Sequence, residues 1–398
     1  MIKTSVRNAA PFAAIYFASF LFALHFTLPL YVSSSFLSQF VGENAVGFIY
    51  TASAIIILLT LPKFPKILSI FGNYKTAISI LAAGSVALFA LAFSTSIWFI
   101  IPLFITIEVL IAFGLFNLDV FLEAFSEDKK TGTIRGFMLT AINTGVLMGP
   151  IMAGILVGDG EFSKAYVGAA IILIPTIFIV SRYLKDFKDP AYRAVTFWKT
   201  LQAVIVAKHP YDEIRHVVIS DFLLRFFFAW MIIYMPIYLN KYMGFNWSEV
   251  GFIIALALLP FVLFELPVGK IVDKIFHEKY AMCLGFFIAA LFTMSLFFIE
   301  SKSLVLWTVM LFGTRLGASI IEIASESHFF KQIDKADTNI LSVFRNTQPL
   351  AFIAGPIIAS VILAVLSMQY LFVALAILLI LGMVNSSLIP IREKTQKV

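Results

Sequence analysis

Long hydrophobic runs separated by short polar breaks make up most of the chain. A hydrocarbon layer about 30 Å thick is crossed by roughly 20 helical residues, so each run is long enough to span it. The polar breaks, such as Gly158-Asp159-Gly160, leave no room for domains between neighbouring runs. We predict an all-α polytopic membrane protein with twelve transmembrane helices near 12–36, 45–64, 75–94, 97–121, 135–157, 163–183, 217–239, 250–269, 280–299, 303–325, 340–364 and 369–390.

The longest connection divides these spans six and six. We therefore predict an N-terminal bundle at 1–184, a cytoplasmic linker at 185–216 and a C-terminal bundle at 217–398. Within the linker, residues 197–207 have the pattern of an amphipathic helix that lies on the inner membrane surface. An ordinary cytoplasmic loop is the alternative, and neither interpretation supplies catalytic groups.

Basic residues predict the orientation of the spans. Of 29 Lys and Arg, only Lys164, Lys241 and Lys302 lie in odd-numbered connections, and Arg225 and Arg315 lie within spans. The others lie in even-numbered connections and the termini, so the positive-inside rule places both termini in the cytoplasm. The net charge of +6 is thus spread over inner loops that face lipid head groups, which argues against a nucleic-acid partner.

Composition supports the membrane assignment and argues against an enzyme. The chain is 61% hydrophobic and 13% charged, far from the proportions of soluble domains. Cys283 is the single cysteine, so no disulfide framework or cysteine metal site is expected. The first hydrophobic run is too long for a cleaved signal peptide. Metalloprotease, nucleophile-elbow and phosphate-loop motifs do not occur, and we expect no metal, cofactor or catalytic residue.

The two halves resemble each other, as in transporters that are built from internal repeats. Gly149-Pro150 recurs 206 residues later as Gly355-Pro356. The acids Asp119 and Glu123, one helical turn apart, recur 203 residues later as Glu322 and Glu326. These matches keep nearly one register, which indicates two pseudo-symmetric six-helix bundles.

Two local motifs identify a family. Between spans 8 and 9, the segment 269–274 has Gly269, Asp273 and Lys274 at the spacing of the Gly-x-x-x-Asp-Arg/Lys loop of the major facilitator superfamily. Residues 64–68, in the first half, lack both the Gly and the Asp. In span 5, Gly145, Gly149 and Pro150 resemble an element of that family's proton antiporters, although small residues at this spacing also serve simple helix packing.

This resemblance covers the whole chain and implies a secondary transporter that works by alternating access. It implies a monomer that carries a small molecule, coupled to protons, with a slight lean toward export. In the family, helices 1, 4, 7 and 10 line the central cavity. A membrane receptor or scaffold with the same fold is the alternative, because a fold does not determine a function.

Ionisable side chains within spans are candidate functional groups, since a charge at mid-bilayer costs about 2.5–3.5 kcal/mol. They fall on the four helices that the resemblance assigns to the cavity: His25, Glu108, Asp221, Arg225 and Arg315. Glu108 is the strongest candidate for a proton carrier, whereas His25 is as readily a packing residue. Asp221 and Arg225 form an i,i+4 pair that is structural or binds substrate, and Arg315 binds an anionic group or pairs with Glu108.

The sequence leaves two classes of substrate open. A polar or anionic metabolite would use Arg315 and Arg225. An amphipathic or cationic compound would use Glu108 with Phe-rich walls.

The inner ends of the same helices carry a second set of charges that would form a gate: Asp119, Glu123, Arg135, Glu322, Glu326 and Arg345. Pairs between the halves would hold the outward-open state, whereas pairs within each half would brace each bundle. Exposed ion pairs are worth about 0–1 kcal/mol, so the two arrangements are equally plausible.

Overall fold

Helices account for nearly all of the chain that the computed structural model describes, which comprises residues 2–125, 131–158, 160–190, 192, 197–206, 212–264, 267, 277–332 and 338–390. No β-strand occurs in those ranges, and the predicted all-α fold class is confirmed. The α-helices are α1 (Ile2–Leu30), α2 (Ser33–Val41), α3 (Glu43–Thr60), α4 (Phe64–Phe71), α5 (Asn73–Ala92), α6 (Ile97–Phe125), α7 (Thr131–Val157), α8 (Phe162–Tyr183), α9 (Phe197–Val206), α10 (Asp212–Ile233), α11 (Met235–Ile237), α12 (Trp247–Leu263), α13 (Glu278–Leu296), α14 (Leu304–Gln332), α15 (Thr338–Arg345), α16 (Thr347–Leu363) and α17 (Tyr370–Ser387).

Eleven segments of the described chain are long and apolar enough to cross a membrane. They correspond to every predicted span except the eighth. That span overlaps α12, an apolar helix of 17 residues that ends at Leu263. Residues 265–266 and 268–276 lie outside the described part of the chain. Large apolar side chains such as Val86, Trp98 and Phe178 are exposed on these helices, as expected of surfaces that face lipid rather than water.

The seventh predicted span is interrupted. The membrane segment Ile214–Tyr242 is helical to Ile233, turns at Tyr234, and continues through α11 into a π-helix at Tyr238–Tyr242. Pro236 explains the break, because proline lacks an N–H and its ring clashes with the carbonyl one turn earlier. Sequence periodicity predicted one continuous helix here, and the interruption places Tyr234 at a helix break.

The chain forms two compact units. The first comprises Met1–Ala194 with Met231–Ala255, and the second comprises Val195–Trp230 with Leu256–Val398. In the first unit, α1 packs against α7 and α8, and α6 packs against α3 and α5. In the second unit, α13 packs against α14 and α17. The predicted domains 1–184, 185–216 and 217–398 differ in their boundaries from these units and stay a prediction.

Glycines in α7 allow α1 to approach closely. A Cβ on Gly145 would lie 2.7 Å from the carbonyl oxygen of Phe20, and one on Gly149 would overlap Thr27. The Thr27 hydroxyl donates to the Ala23 carbonyl at 2.7 Å and lies 3.1 Å from the Gly145 carbonyl oxygen. The spacing that resembles the antiporter element therefore serves backbone packing.

The same motif also packs against the start of α12, within the first unit. A Cβ on Gly154 would lie 2.8 Å from the Trp247 carbonyl oxygen, and one on Gly251 would overlap the Pro150 carbonyl. In the second unit, Gly355 beside Pro356 accepts a hydrogen bond from the Trp230 indole at 2.7 Å. Both Gly-Pro motifs thus lie at tight contacts with a neighbouring helix.

An acid from beyond α8 caps the N-terminus of α5. The backbone N–H of Asn73 donates to the Asp189 carboxylate at 2.7 Å, and the Tyr192 hydroxyl donates to the same oxygen at 2.5 Å. Burial and the adjacent carboxylate raise the pKa of Tyr192 above its ordinary value. Gly72 has φ 80°, and a Cβ there would lie 2.8 Å from Asp189 Oδ2. Asp189 therefore supplies a negative charge where the helix dipole favours one.

The predicted linker helix is α9, which begins and ends within one residue of its predicted bounds. Phe197 and Val204 are buried, whereas Trp198 and Ile205 are exposed. The helix packs against α15 in the second unit. Exposed apolar residues on a short surface helix favour contact with a membrane surface.

Candidate functional site

Glu108 lies near the middle of α6, inside the apolar segment Ile97–Leu122. At 1.5 Å per residue, it is about 17 Å from the start of the helix, which is close to half of a hydrocarbon layer of about 30 Å. Among the described residues, no side chain donates a hydrogen bond to its carboxylate or forms an ion pair with it. An ionised carboxylate at this depth therefore has no compensating cation in the described protein.

Tyrosines from two other membrane segments lie near this carboxylate, and a third tyrosine lies near one of them. The hydroxyls of Tyr50 on α3 and Tyr166 on α8 lie within electrostatic range of Glu108, and Tyr234, at the helix break, lies within range of Tyr50. The Tyr50 ring contacts Phe104 edge to face, with ring centroids 5.2 Å apart. Because Phe104 precedes Glu108 by one turn on α6, this contact holds the tyrosine on the face of the carboxylate.

The tyrosine hydroxyls differ in their hydrogen bonds. Tyr166 shares a hydrogen bond of 2.9 Å with Ser33, and its ring contacts Phe36 at 5.0 Å. Tyr50 is 3% exposed, and its hydroxyl has no hydrogen-bond partner in the described structure. A buried polar group without a partner is rare in proteins and needs an explanation. We refer to Tyr50, Glu108, Tyr166 and Tyr234 as the tyrosine–glutamate cluster.

The contacts of His25 that the described structure shows are with residues of its own helix. Its Nδ1 hydrogen-bonds the Phe22 carbonyl one turn earlier, and its buried ring packs against Phe22 and Phe26. These contacts match the packing alternative for this residue. Proton handling by His25 stays a prediction.

Asp221, Arg225 and Glu322 form an ion network in the second unit. Arg225 donates to Glu322 at 2.8 Å and lies 3.4 Å from Asp221, which is fully buried. The Thr347 hydroxyl donates to the other oxygen of Asp221 at 2.5 Å. The structure thus contains the expected i,i+4 pair and adds Glu322 from α14, a residue of the predicted inner gate.

The remaining charges of the predicted gate are only partly described. Glu326 lies within electrostatic range of Arg225 and Arg345, so the acids of α14 interact with basic residues of their own unit. Arg345 and Asp119 are exposed. The side chains of Glu123 and Arg135 lie outside the described set, as do Gly269, Asp273 and Lys274. The choice between pairs within and between the halves stays open.

Arg315 is buried on α14 against aromatic rings. Its guanidinium carbon lies 5.0 Å from the centre of the Phe227 ring and 5.8 Å from that of Phe228, both on α10. Cation–π contacts of this kind stabilise a buried guanidinium by about 0.5–2 kcal/mol. Arg315 belongs to the second unit and Glu108 to the first, and their pairing stays a prediction.

The tyrosines of the cluster and the Asp189 cap were not predicted from the sequence. Tyr50 and Tyr166 stand in ordinary hydrophobic runs, where a tyrosine most often packs or lies at the membrane interface. Pro236 was a usable signal for the break at Tyr234. Asp189 carried no signal, since its partner Asn73 is 116 residues away in the sequence.

Comparison with known proteins gives the family and the fold. A family model described as Major Facilitator Superfamily matches residues 15–329 and 219–398. Among solved structures, a mutant of the nucleoside transporter NupG superposes with a TM-score of 0.76 at 14% identity, covering 94% of this chain and 98% of that chain. The POT family transporter PepTSo gives a TM-score of 0.75 at 11% identity, covering 96% and 97%. No curated protein matches the chain.

Proposed function

Because the chain belongs to the Major Facilitator Superfamily, we propose that it is a secondary active transporter that moves a small organic solute by alternating access. It is an integral, multi-pass membrane protein. We place it in the cytoplasmic membrane, with both termini in the cytoplasm, on the basis of the positive-inside rule.

The observation that carries the proposal is Glu108, a mid-membrane carboxylate to which no described residue supplies a hydrogen bond or a positive charge. Such a group in apolar surroundings destabilises the protein, so its presence within a membrane span indicates a function. A carboxyl in this environment can take up and release a proton as its surroundings change between the two states of a carrier. We therefore assign Glu108 the role of proton carrier. The resemblance of Gly145, Gly149 and Pro150 to an element of the family's proton antiporters favours export of the solute slightly over import.

The contacts of Arg225 and Arg315 argue against an anionic substrate. Arg225 already contacts two acids, and Arg315 is packed against two phenylalanine rings, so the second unit offers little free positive charge to an anionic solute. The two structural neighbours are named as a nucleoside transporter and a POT family transporter, and these names apply to those proteins. At 14% and 11% identity they do not assign nucleosides or peptides to this chain.

Solute flux in reconstituted vesicles tests the proposal. Full-length protein and protein-free vesicles are compared for uptake of labelled solutes under an imposed pH gradient, with a panel of nucleosides, dipeptides, organic anions and organic cations. We expect protein-dependent uptake of at least one class that collapses when the gradient is dissipated. Binding of a solute without any flux would instead support a receptor with the same fold.

A further inference from the structure

The tyrosine–glutamate cluster combines a negative charge with aromatic rings and an unused hydroxyl. Glu108 supplies the charge, and Tyr50, Tyr166 and Tyr234 come from three other segments of the first unit. Tyr50 is 3% exposed, and its hydroxyl has no partner in the described structure. A hydroxyl buried in this way costs free energy, which a protonated amine would recover by donating an N–H hydrogen bond to it.

The chemistry of the cluster selects the charge of that ligand. A cation cancels the charge of the carboxylate, and it is also attracted to the faces of tyrosine rings within about 6 Å. An anion would be repelled by Glu108. A neutral solute would leave the carboxylate uncompensated, so two independent features of the cluster favour the same positive charge.

The membrane acids of the second unit have different surroundings. There Asp221 interacts with Arg225 and Thr347, and Glu322 interacts with Arg225. Each of these two acids therefore lies beside a cation of its own unit. Glu108 differs because the described protein gives it aromatic hydroxyls nearby and no cation.

We propose that the tyrosine–glutamate cluster is a binding site for an organic cation, whose ammonium group pairs with Glu108 and lies against Tyr50 and Tyr166. This inference rests on the proposed transport function and specifies its substrate class. The substrate is an amine or quaternary ammonium compound with an apolar body. The body contacts the apolar residues that flank the cluster, among them Phe104 and Phe36.

A matched set of probes separates charge from shape. Benzyltrimethylammonium is compared with neopentylbenzene, which has the same shape without the charge, and with benzoate, which carries the opposite charge. Binding to purified full-length protein is measured by titration and by the shift of the thermal unfolding midpoint, which a ligand of the folded state raises. We expect saturable binding of the ammonium alone.

Variants connect the binding to the cluster. Glu108→Gln keeps the size of the side chain and should weaken ammonium binding by at least about tenfold, the change that corresponds to about 1.4 kcal/mol. Tyr50→Phe keeps the ring and removes the hydroxyl, so it should retain ammonium binding more fully than Glu108→Gln. Glu161→Gln is the matched control, because Glu161 is exposed and pairs with Lys164 at the surface. Its affinity should equal that of the wild type.

Failure of this inference is distinct from failure of the transport proposal. Equal binding of all three probes, no saturable ammonium binding, or unchanged affinity in a folded Glu108→Gln variant would each overturn the cation site. Protein-dependent flux of a neutral or anionic solute in the vesicle panel would preserve transport while excluding a cationic substrate. Size-exclusion elution and circular dichroism show whether Glu108→Gln has folded. If it has not, Tyr50→Trp provides the test, because the larger ring beside Glu108 should block ammonium binding.

Discussion

At the scale of single residues, the two units treat their membrane acids differently. Asp221 is fully buried and held by Arg225 and Thr347, so its charge is part of the packing of the second unit. Glu108 has tyrosines around it but no cation in the described protein. The contrast favours a structural role for Asp221, and it agrees with our proposal that Glu108 binds a proton or a ligand.

Removing Arg225 should therefore destabilise the protein. Arg225→Ala leaves Asp221 buried without its cation, and breaking a buried ion pair on one side costs about 3–5 kcal/mol. We expect the free energy of unfolding in mixed micelles to fall by roughly that amount. Arg182→Ala, at an exposed arginine near the end of α8, should change it by less than about 0.5 kcal/mol. Equal stability of the two variants would show that the ion network contributes nothing to folding.

At the scale of helices, close contacts depend on a few small residues. Gly149 lies so near Thr27 that a methyl group has no space, whereas a Cβ on Gly84 would meet only the end of the Leu173 side chain at 3.3 Å. We expect Gly149→Ala to lower the free energy of unfolding by about 1–3 kcal/mol through overpacking. Gly84→Ala should have a much smaller effect, since leucine can adjust. Thermal unfolding of the two variants side by side measures the difference, and a reversed order would contradict the packing account.

The Asp189 cap makes a second prediction at this scale. Asp189→Ala removes the acceptor for the Asn73 N–H at the start of α5 and should cost about 0.5–2 kcal/mol, the usual effect of losing a helix cap. Asp186→Ala removes an exposed acid from the same connection and serves as the control. Equal unfolding midpoints for the two variants would argue that Asp189 does not stabilise α5.

The sequence predicted the helices well because hydropathy is a local property. Eleven predicted spans and α9 lie where the hydrophobic pattern placed them. Contacts between distant segments could not be predicted in the same way. The Arg225–Glu322 bond joins residues 97 positions apart, and it depends on how α10 packs against α14, which periodicity does not specify. The proximity of Tyr50 to Glu108 has the same origin.

At the scale of the whole molecule, cysteine labelling tests the orientation in the membrane, once the single native cysteine has been replaced. In a Cys283→Ser background, Lys302→Cys lies in an odd-numbered connection and Lys66→Cys in an even-numbered one. The positive-inside rule predicts that a membrane-impermeant maleimide labels the first in intact cells and the second only after permeabilisation. The opposite labelling pattern would invert the proposed topology.

In our proposal, Glu108 couples solute movement to protons. The most direct measurement follows a pH-sensitive dye inside vesicles that contain wild-type protein, Glu108→Gln or Glu161→Gln, while a transported solute is added outside. We expect a solute-dependent pH change with the wild type and with Glu161→Gln, and none with Glu108→Gln. That variant should still exchange labelled for unlabelled solute at concentrations raised to offset its weaker binding. A full pH change with Glu108→Gln would contradict the claim.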